Sequence, residues 1–454
     1  MIEAALSAAA GAMQGSLHGT ERDFRGASTD TRTLREDELY FALQGPNFDG
    51  HSFIPDAADK GAAGVVVSRT VDCTIPQIQV DDTLLALGDL AADWRGQMPA
   101  RVVGLTGSNG KTTLKEMISS CLSQRAETIA TEGNLNNEIG VPLMLLRLTP
   151  EHHFAVIEMG ANHIGEIAYL TGRVAPHVVV ITNAGPAHLE GFGSLDGVAQ
   201  GKGEILRSEP RPRFAVLNAD DRYFDYWLES VTDIPMLSFG TGEAADFRAT
   251  DIRPQADGIE FELSFESSRI PIRLGMPGRH NAVNASAAAA VARGLDLTPE
   301  EIQRGLNSVS PVSGRLNAAI GPHGVRLIDD SYNANPTSVL AAAEYLGAQD
   351  SEGWLVVGDM AELGEDADAL HRGTGESIRD RGVRRVFAVG QHSRHLVEGF
   401  GAGARWFESV EDLVAELRHE IEAAPPGNLL VKGSRSMRME RVLAALAAGT
   451  GEVH

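Results

Sequence analysis

Short apolar runs alternate with longer amphipathic stretches along most of the chain. "RVVGLTG" (101–107), "FAVIEMG" (154–160), "HVVVITN" (177–183) and "FAVLNAD" (214–220) are apolar without alternation, the pattern of strands buried on both faces of a parallel sheet. Helix-like sequence follows each of them, which predicts a doubly wound α/β sheet. A second set, "VRLIDD" (325–330), "WLVVGD" (354–359), "RVFAVG" (385–390) and "NLLVKG" (428–433), repeats the arrangement, with a helix expected over 337–346. Between the sets, "GIEFELSFESSRIPIRL" (258–274) alternates with period two and reads as a β-hairpin attached to the first sheet. A shorter unit at the start has "ELYFAL" (38–43) and "AGVVVS" (63–68) as strands, and its Ala-rich beginning, "MIEAALSAAAGAMQG", reads as a helix.

Breaks in this rhythm fall near Asp81-Asp82 and in "SVSPVSGR" (308–315), where Pro, Gly and Ser suit a linker. The expected division is therefore 1–82, 83–314 and 315–454: a small α/β unit, a central phosphate-loop domain, and a Rossmann-like C-terminal domain. A length of 454 residues accommodates three domains, and 43 % hydrophobic content accommodates their cores.

Charge narrows the partners. Lys and Arg number 39 against 62 Asp and Glu, a formal net charge of −23, so the surface repels phosphate backbones and no nucleic-acid partner is expected. No apolar run approaches the ~20 residues that span a bilayer. The N-terminus carries Glu3 and lacks the basic start of a signal peptide. Two cysteines, Cys73 and Cys121, add little to a fold of this size, which favours a reducing compartment. Together these predict a soluble cytoplasmic protein. Nothing in the acidic surface points to obligate association, so a monomer is expected.

The chemistry concentrates at "VVGLTGSNGKTTLKE" (102–116). The common phosphate loop, G-x-x-x-x-G-K-[ST], needs a glycine at 105, where this chain has Leu105. Gly107 stands only three residues before Gly110, giving the shorter G-x-x-G-K-T-T. The context is nevertheless a strand, a loop and an amphipathic helix, in which the amides from Gly107 through Ser108, Asn109 and Gly110 to Lys111 can cradle an anion. Lys111 would reach the β- and γ-phosphates, and Thr112 would offer a hydroxyl to Mg²⁺.

Weaker signals surround it. In "ATEGNLNNEIGVP" (130–142), Asn134, Asn136, Asn137 and Glu138 crowd one loop, read equally as ligands or as an Asx-rich turn capping the next helix. Glu158 ends a strand on the carboxyl side, where ligands bind in such sheets and a carboxylate can hold Mg²⁺. His188 is a loop imidazole, an uncommon Mg²⁺ ligand that spacing alone does not single out. Lys202 lies between Gly201 and Gly203 on an expected helix, either as a surface lysine or because something approaches that backbone closely.

Taken in order, "TGSNGKTT", "NLNNEIGVP", "EMGANHIGEI", "NAGPAHLEGFG", "QGKGEI", "GRHNAVNASAA", "SGR", "DDSYNANP", "GDMAELGE" and "KGSRSMRME" resemble the Mur ligase family, ATP-dependent amide-forming enzymes of peptidoglycan synthesis. The resemblance spans all three expected domains. It is strongest to the member that joins D-alanyl-D-alanine to UDP-N-acetylmuramoyl-tripeptide, through "DDSYNANP" and "GDMAELGE". It implies the short phosphate loop from Gly107 to Thr113, Mg²⁺ ligands at Thr112, Glu158 and His188, and Asn281 at the adenine. It implies Arg315 at the γ-phosphate, with Asp330, Tyr332 and Asn333 reaching ribose and adenine from the third domain. Lys432, Ser434 and Arg435 would face the incoming amine or phosphates. Ser28, Asp30 and Arg32 in "STDTR", and Asn47, Phe48 and His51 in "GPNFDGH", match UDP-binding segments, and Asn134, Asn137 and Glu138 would join the substrate. Lys202 matches a lysine that several members carry as a carbamate.

Two rivals separate on sequence features, and a third separates by its turnover. A sibling adding diaminopimelate or lysine would carry a D-N-P-R-like stretch in its third domain, which this chain lacks. Folylpolyglutamate synthase shares the core but has no N-terminal UDP unit, whereas about 100 residues precede the loop here. A nucleotide switch or kinase-like binding module would need no dipeptide for steady ATP turnover.

Overall fold

The computed structural model describes residues 1–447 except Ser208 and Ala256. Three sheets carry the architecture. The central one has nine strands, in the order Thr128–Ala130, Phe154–Glu158, Arg101–Thr106, Val178–Ile181, Phe214–Asn218, Met236–Gly240, Phe247–Gln255, Gly258–Phe265 and Ser268–Leu274. The first seven are parallel, and each of the last two runs antiparallel to the strand before it. The expected hairpin is therefore present, but it is extended by Phe247–Gln255, whose polar alternation gave no apolar run to read. The strands with continuous apolar sequence are buried on both faces: Val178–Ile181 has all four residues buried. Helices Lys111–Leu122 and Arg279–Gly294 cover one face, the second through its run of fully buried alanines, which let it lie close to the sheet.

The C-terminal sheet has six strands, in the order Asn317–Ile320, Arg326–Asp330, Asn428–Lys432, Gly353–Gly358, Arg385–Val389 and Ala404–Phe407, parallel except for the first pair. The expected helix here runs Pro336–Gly347, with Asn335 closing a capping box on Ser338. The small N-terminal sheet has five strands, Ser16–His18, Gln77–Gln79, Gly64–Val67, Leu39–Phe41 and Ala27–Ser28. The single N-terminal helix expected from the Ala-rich start is split. Glu3–Ala5 pairs as a strand with Asp23–Arg25 before the helix Leu6–Ala12 begins, because burial of Ile2 and Phe24 outweighs local helix propensity. Helix Thr83–Gln97, capped by Asp82, packs both on this unit and on the helices Gly140–Leu145 and Glu166–Val174 of the central one. Among the described residues no helix is long and apolar enough to cross a membrane.

Candidate active site

The short phosphate loop works because two glycines adopt backbone that other residues resist. Gly107 has φ +145°, and a Cβ there would meet Thr182 Oγ1 at 1.9 Å. Gly110 has φ +81° and forms the N-cap of the helix Lys111–Leu122, where a Cβ would meet Asn284 Oδ1 at 2.8 Å. The loop is pinned from the neighbouring strand end. Ser108 N donates to Asn183 O (3.0 Å), Asn109 N donates to Asn183 Oδ1 (2.9 Å), and Thr182 Oγ1 donates to Asn109 O (2.7 Å). The anion cradle is therefore narrower than expected from sequence. The amides of Ser108 and Asn109 are spent on Asn183, and the first turn of the helix, which no side chain caps, presents the donors. Lys111 arches back, Nζ donating to Gly107 O at 2.7 Å, and burial with the Arg315 charge nearby lowers its pKa despite Glu158.

The loop opens on a cavity of about 850 Å³ walled by the central and C-terminal domains. Ser108, Asn109, Gly110, Lys111, Thr112, Thr113, Glu158, His188, Asn281, Arg315, Asp330, Tyr332, Asn333, Lys432, Ser434 and Arg435 all line it, as do Asn137 and Glu138. Gly107 and Asn134 do not line it. The Asn-rich loop divides its labour. Asn136 Nδ2 donates to Glu158 Oε1 (2.9 Å), while Asn137 Oδ1 accepts from Gly140 N (2.9 Å) and so holds the start of the next helix.

Glu158 is only 2 % exposed, and its Oε2 has no hydrogen-bond partner. An orphaned carboxyl oxygen sharing a cavity with the Thr112 hydroxyl fits a hard cation that completes its shell with water and phosphate oxygens. Among the described residues no three His, Cys, Asp or Glu side chains cluster to hold a metal unaided, so such an ion would depend on those phosphate oxygens. His188 has φ +56°, and its Nδ1 meets the Glu362 carboxylate, which arrives from the third domain. That contact holds the Glu362 pKa low. Glu362 lies in "GDMAELGE", yet nothing in its spacing marks it as a partner of a histidine 174 residues away.

Other contacts also cross the domain junction. Arg315 Nη2 donates to Thr112 Oγ1 (2.9 Å) while its guanidinium lies 4.5 Å from the Tyr332 ring centroid. Asn335 Nδ2 donates to Asn109 Oδ1 (2.8 Å). Lys432 does not project freely: only 4 % exposed, it ion-pairs with Asp330 (2.6 Å) and donates to Asn333 O (3.0 Å), fixing the "DDSYNANP" loop. Ser434 is likewise buried, and Arg435 pairs with Glu440 (3.1 Å).

Lys202 is not a surface lysine. It is 1 % exposed and lies beneath the cavity wall, Nζ donating to Ala161 O (3.1 Å) and standing 4.9 Å from the Phe192 ring centroid. Burial, assisted by the charge of Lys111, lowers its pKa to about 7. Its flanking glycines are explained by aromatic rings: a Cβ on Gly201 would meet Phe192 at 2.4 Å, and one on Gly203 would meet Trp227 at 3.2 Å.

None of the candidate residues of the N-terminal unit lines this cavity. Ser28 Oγ donates to Asp30 O (3.1 Å), and Asp30 pairs with Arg32 (2.7 Å). Asn47 and Phe48 are exposed on a two-strand turn. His51 is buried with both ring nitrogens engaged, Nδ1 by Asp49 (2.7 Å) and Nε2 by Ser68 N (3.1 Å), so it braces that turn.

The model described as "Mur ligase middle domain" matches residues 105–292, "Mur ligase, glutamate ligase domain" matches 314–435, and "Mur ligase family, catalytic domain" matches 23–95. The chain is 43 % identical over 447 residues to the UDP-N-acetylmuramoyl-tripeptide–D-alanyl-D-alanine ligase of Escherichia coli K12, covering 98 % of this chain and 99 % of that protein. Among solved structures it superposes on MurF from Acinetobacter baumannii with a TM-score of 0.93 at 37 % identity, covering 97 % and 98 % of the two chains. The MurF ligase of Thermotoga maritima in complex with ADP gives a TM-score of 0.83 at 28 % identity, with 93 % and 97 % covered.

Proposed function

The chain belongs to the Mur ligase family, and on that premise we infer that it joins D-alanyl-D-alanine to UDP-N-acetylmuramoyl-tripeptide, forming ADP, phosphate and the pentapeptide precursor of peptidoglycan. One observation carries the reading. A phosphate loop, an orphaned carboxyl oxygen at Glu158, and Arg315 with the Asp330–Lys432 pair of another domain face one cavity large enough for a nucleotide and a reacting peptide end. The boundaries near 82 and 314 define the three domains: 1–82 takes the UDP end through Ser28, Asp30, Arg32, Asn47 and Phe48, 83–314 takes ATP, and 315–454 closes over it. The work belongs to the cytoplasm, and the enzyme acts as a monomer.

A carboxylate is a poor electrophile, so ATP is used to make its leaving group. The terminal carboxylate of the tripeptide attacks the γ-phosphorus, a new O–P bond forms, and the bond to the bridging oxygen of ADP breaks. The free amine of D-alanyl-D-alanine then attacks the acyl carbon, and the tetrahedral intermediate expels phosphate as the amide forms, the nitrogen's proton leaving with the phosphate. Lys111 and the helix start hold the transferring phosphoryl group, with Arg315 at its outer oxygens. Thr112 and Glu158, with His188 once Glu362 withdraws, would hold Mg²⁺, which supplies charge neutralisation at the phosphate oxygens. Asn281 sits at the adenine, with Asp330, Tyr332 and Asn333 at the nucleoside, while Asn137, Glu138, Ser434 and Arg435 orient the two peptide ends. Lys202 acts as a carbamate, for which its depressed pKa supplies the neutral amine that CO₂ requires.

The test is phosphate release. It should stay at background with ATP and UDP-tripeptide alone, and turn over steadily only when D-Ala-D-Ala is added. Steady release without dipeptide, or equal turnover with single amino acids, overturns the assignment. Comparing lysine- and diaminopimelate-containing tripeptides in the same assay identifies the third residue.

A further inference from the structure

One buried group of the C-terminal domain has no part in the chemistry above. His371, on the helix Ala367–Arg379, is fully buried. Its Nδ1 lies 2.7 Å from Ala367 O, a carbonyl that can only accept, so the ring proton sits on Nδ1. Nε2 is then an acceptor, and Met360 N donates to it at 3.0 Å. Burial also lowers the His371 pKa, favouring this neutral form.

The amide it receives lies in the loop after the strand Gly353–Gly358, at the carboxyl edge of the sheet where ligands bind. That loop is tied on both sides of Met360. Before it, Asp359 Oδ1 accepts from His392 N (3.1 Å), Ser393 N (2.7 Å) and Ser393 Oγ (2.7 Å), and Asp359 O accepts from Ser434 N (3.0 Å). After it, Glu362 carries its carboxylate to His188, and its carbonyl accepts from Glu190 N (3.2 Å). Glu362 holds φ +61°, a backbone state that costs free energy and persists where surrounding contacts enforce it.

We propose that His371 is a positioning residue for the ligation. By accepting the Met360 amide it sets the loop whose Asp359 carbonyl holds the Ser434 amide at the cavity lining, the part that the function proposed above gives to the amine substrate. This rests on the function proposed above. The two substrates should feel it unequally. Ser434 hangs on the same loop as the amide, whereas the phosphate loop is pinned separately by Asn183.

Full-length His371→Gln and His371→Leu test it. Glutamine can return an oxygen acceptor to the Met360 amide, while leucine fills the space without one. The leucine variant should raise KM for D-Ala-D-Ala about tenfold or more, with KM for ATP within twofold of wild type. Hydrogen exchange at Met360 should accelerate, and glutamine should restore both. Equal loss in the two variants, a matching rise in KM for ATP, or lowered thermal stability with unchanged KM overturns the proposal. If the leucine variant does not fold, the glutamine variant decides: slow Met360 exchange with near-wild-type dipeptide KM upholds it, and a folded glutamine variant lacking either overturns it. Should wild-type enzyme fail to turn over the tripeptide and dipeptide, the assigned function falls, and the Met360 exchange comparison still reports on the loop.

Discussion

Replacing Lys202 by methionine should abolish ligation and yet make the substrate-free protein more stable at neutral pH. A pKa lowered from 10.5 to about 7, at ~1.4 kcal/mol per pH unit, corresponds to about 5 kcal/mol for holding the ammonium in its buried site. Methionine keeps the aliphatic packing against Phe192. It forfeits the cation–π contact, ~1–2 kcal/mol when desolvated, and the hydrogen bond to Ala161 O, ~1 kcal/mol. The net gain expected below pH 7 is about 2–3 kcal/mol. Its pH dependence follows from linkage. Between pH 7 and 10.5 the unfolded chain binds the proton and the folded chain does not, so wild-type stability rises with pH across that window. The advantage of the variant is therefore full below about pH 7 and shrinks as pH rises. Urea unfolding midpoints of both proteins, without Mg²⁺ and in CO₂-depleted buffer, at pH 6.5, 8 and 9.5, measure this directly. A variant less stable than wild type at pH 6.5, or a difference that does not change with pH, refutes the reasoning. Adding formate or acetate to Lys202→Ala then tests the carbamate: partial recovery of ligation supports it, and a dead variant that neither acid rescues counts against it.

The other expectations concern the phosphate loop and the interdomain cluster. Lys111→Ala should leave the fold intact by circular dichroism and reduce ligation at least 100-fold; near-normal turnover in the folded variant refutes its assignment. Gly107→Ala places a Cβ on Thr182 Oγ1 in a backbone state alanine resists, so nucleotide affinity measured by calorimetry should fall at least tenfold. Asp330→Ala strands the buried Lys432 ammonium, costing ~3 kcal/mol or more of C-terminal domain stability, and should raise KM for ATP more than KM for the dipeptide. An unchanged thermal midpoint with unchanged KM for ATP contradicts that pairing.

Much of the site was legible because phosphate binding is local. Gly107 to Thr113 combine turn, helix start, lysine and hydroxyl within seven consecutive residues, and Glu158 announces itself by ending an apolar strand. Residues that act through contacts distant in sequence were not legible in this way. Asn183 restrains two loop amides from 74 and 75 residues away, and Glu362 meets His188 across a domain junction. Lys432 and His51 were legible as polar residues in motifs, but not as groups already spent on Asp330 and on Asp49 with Ser68.

Sequence by itself determined the three α/β units, since continuous apolar runs commit strands to doubly covered sheets whatever surrounds them. It determined the family through ordered motifs, and the phosphate loop through local backbone demands. Tertiary structure alone decided whether a charge is exposed or buried. Lys202 flanked by glycines is the same string on a surface or beneath a cavity wall. Only tertiary packing, with the Phe192 ring centroid 4.9 Å from its Nζ, removes water from it, and desolvation, not residue identity, turns an ordinary lysine into one that titrates near pH 7.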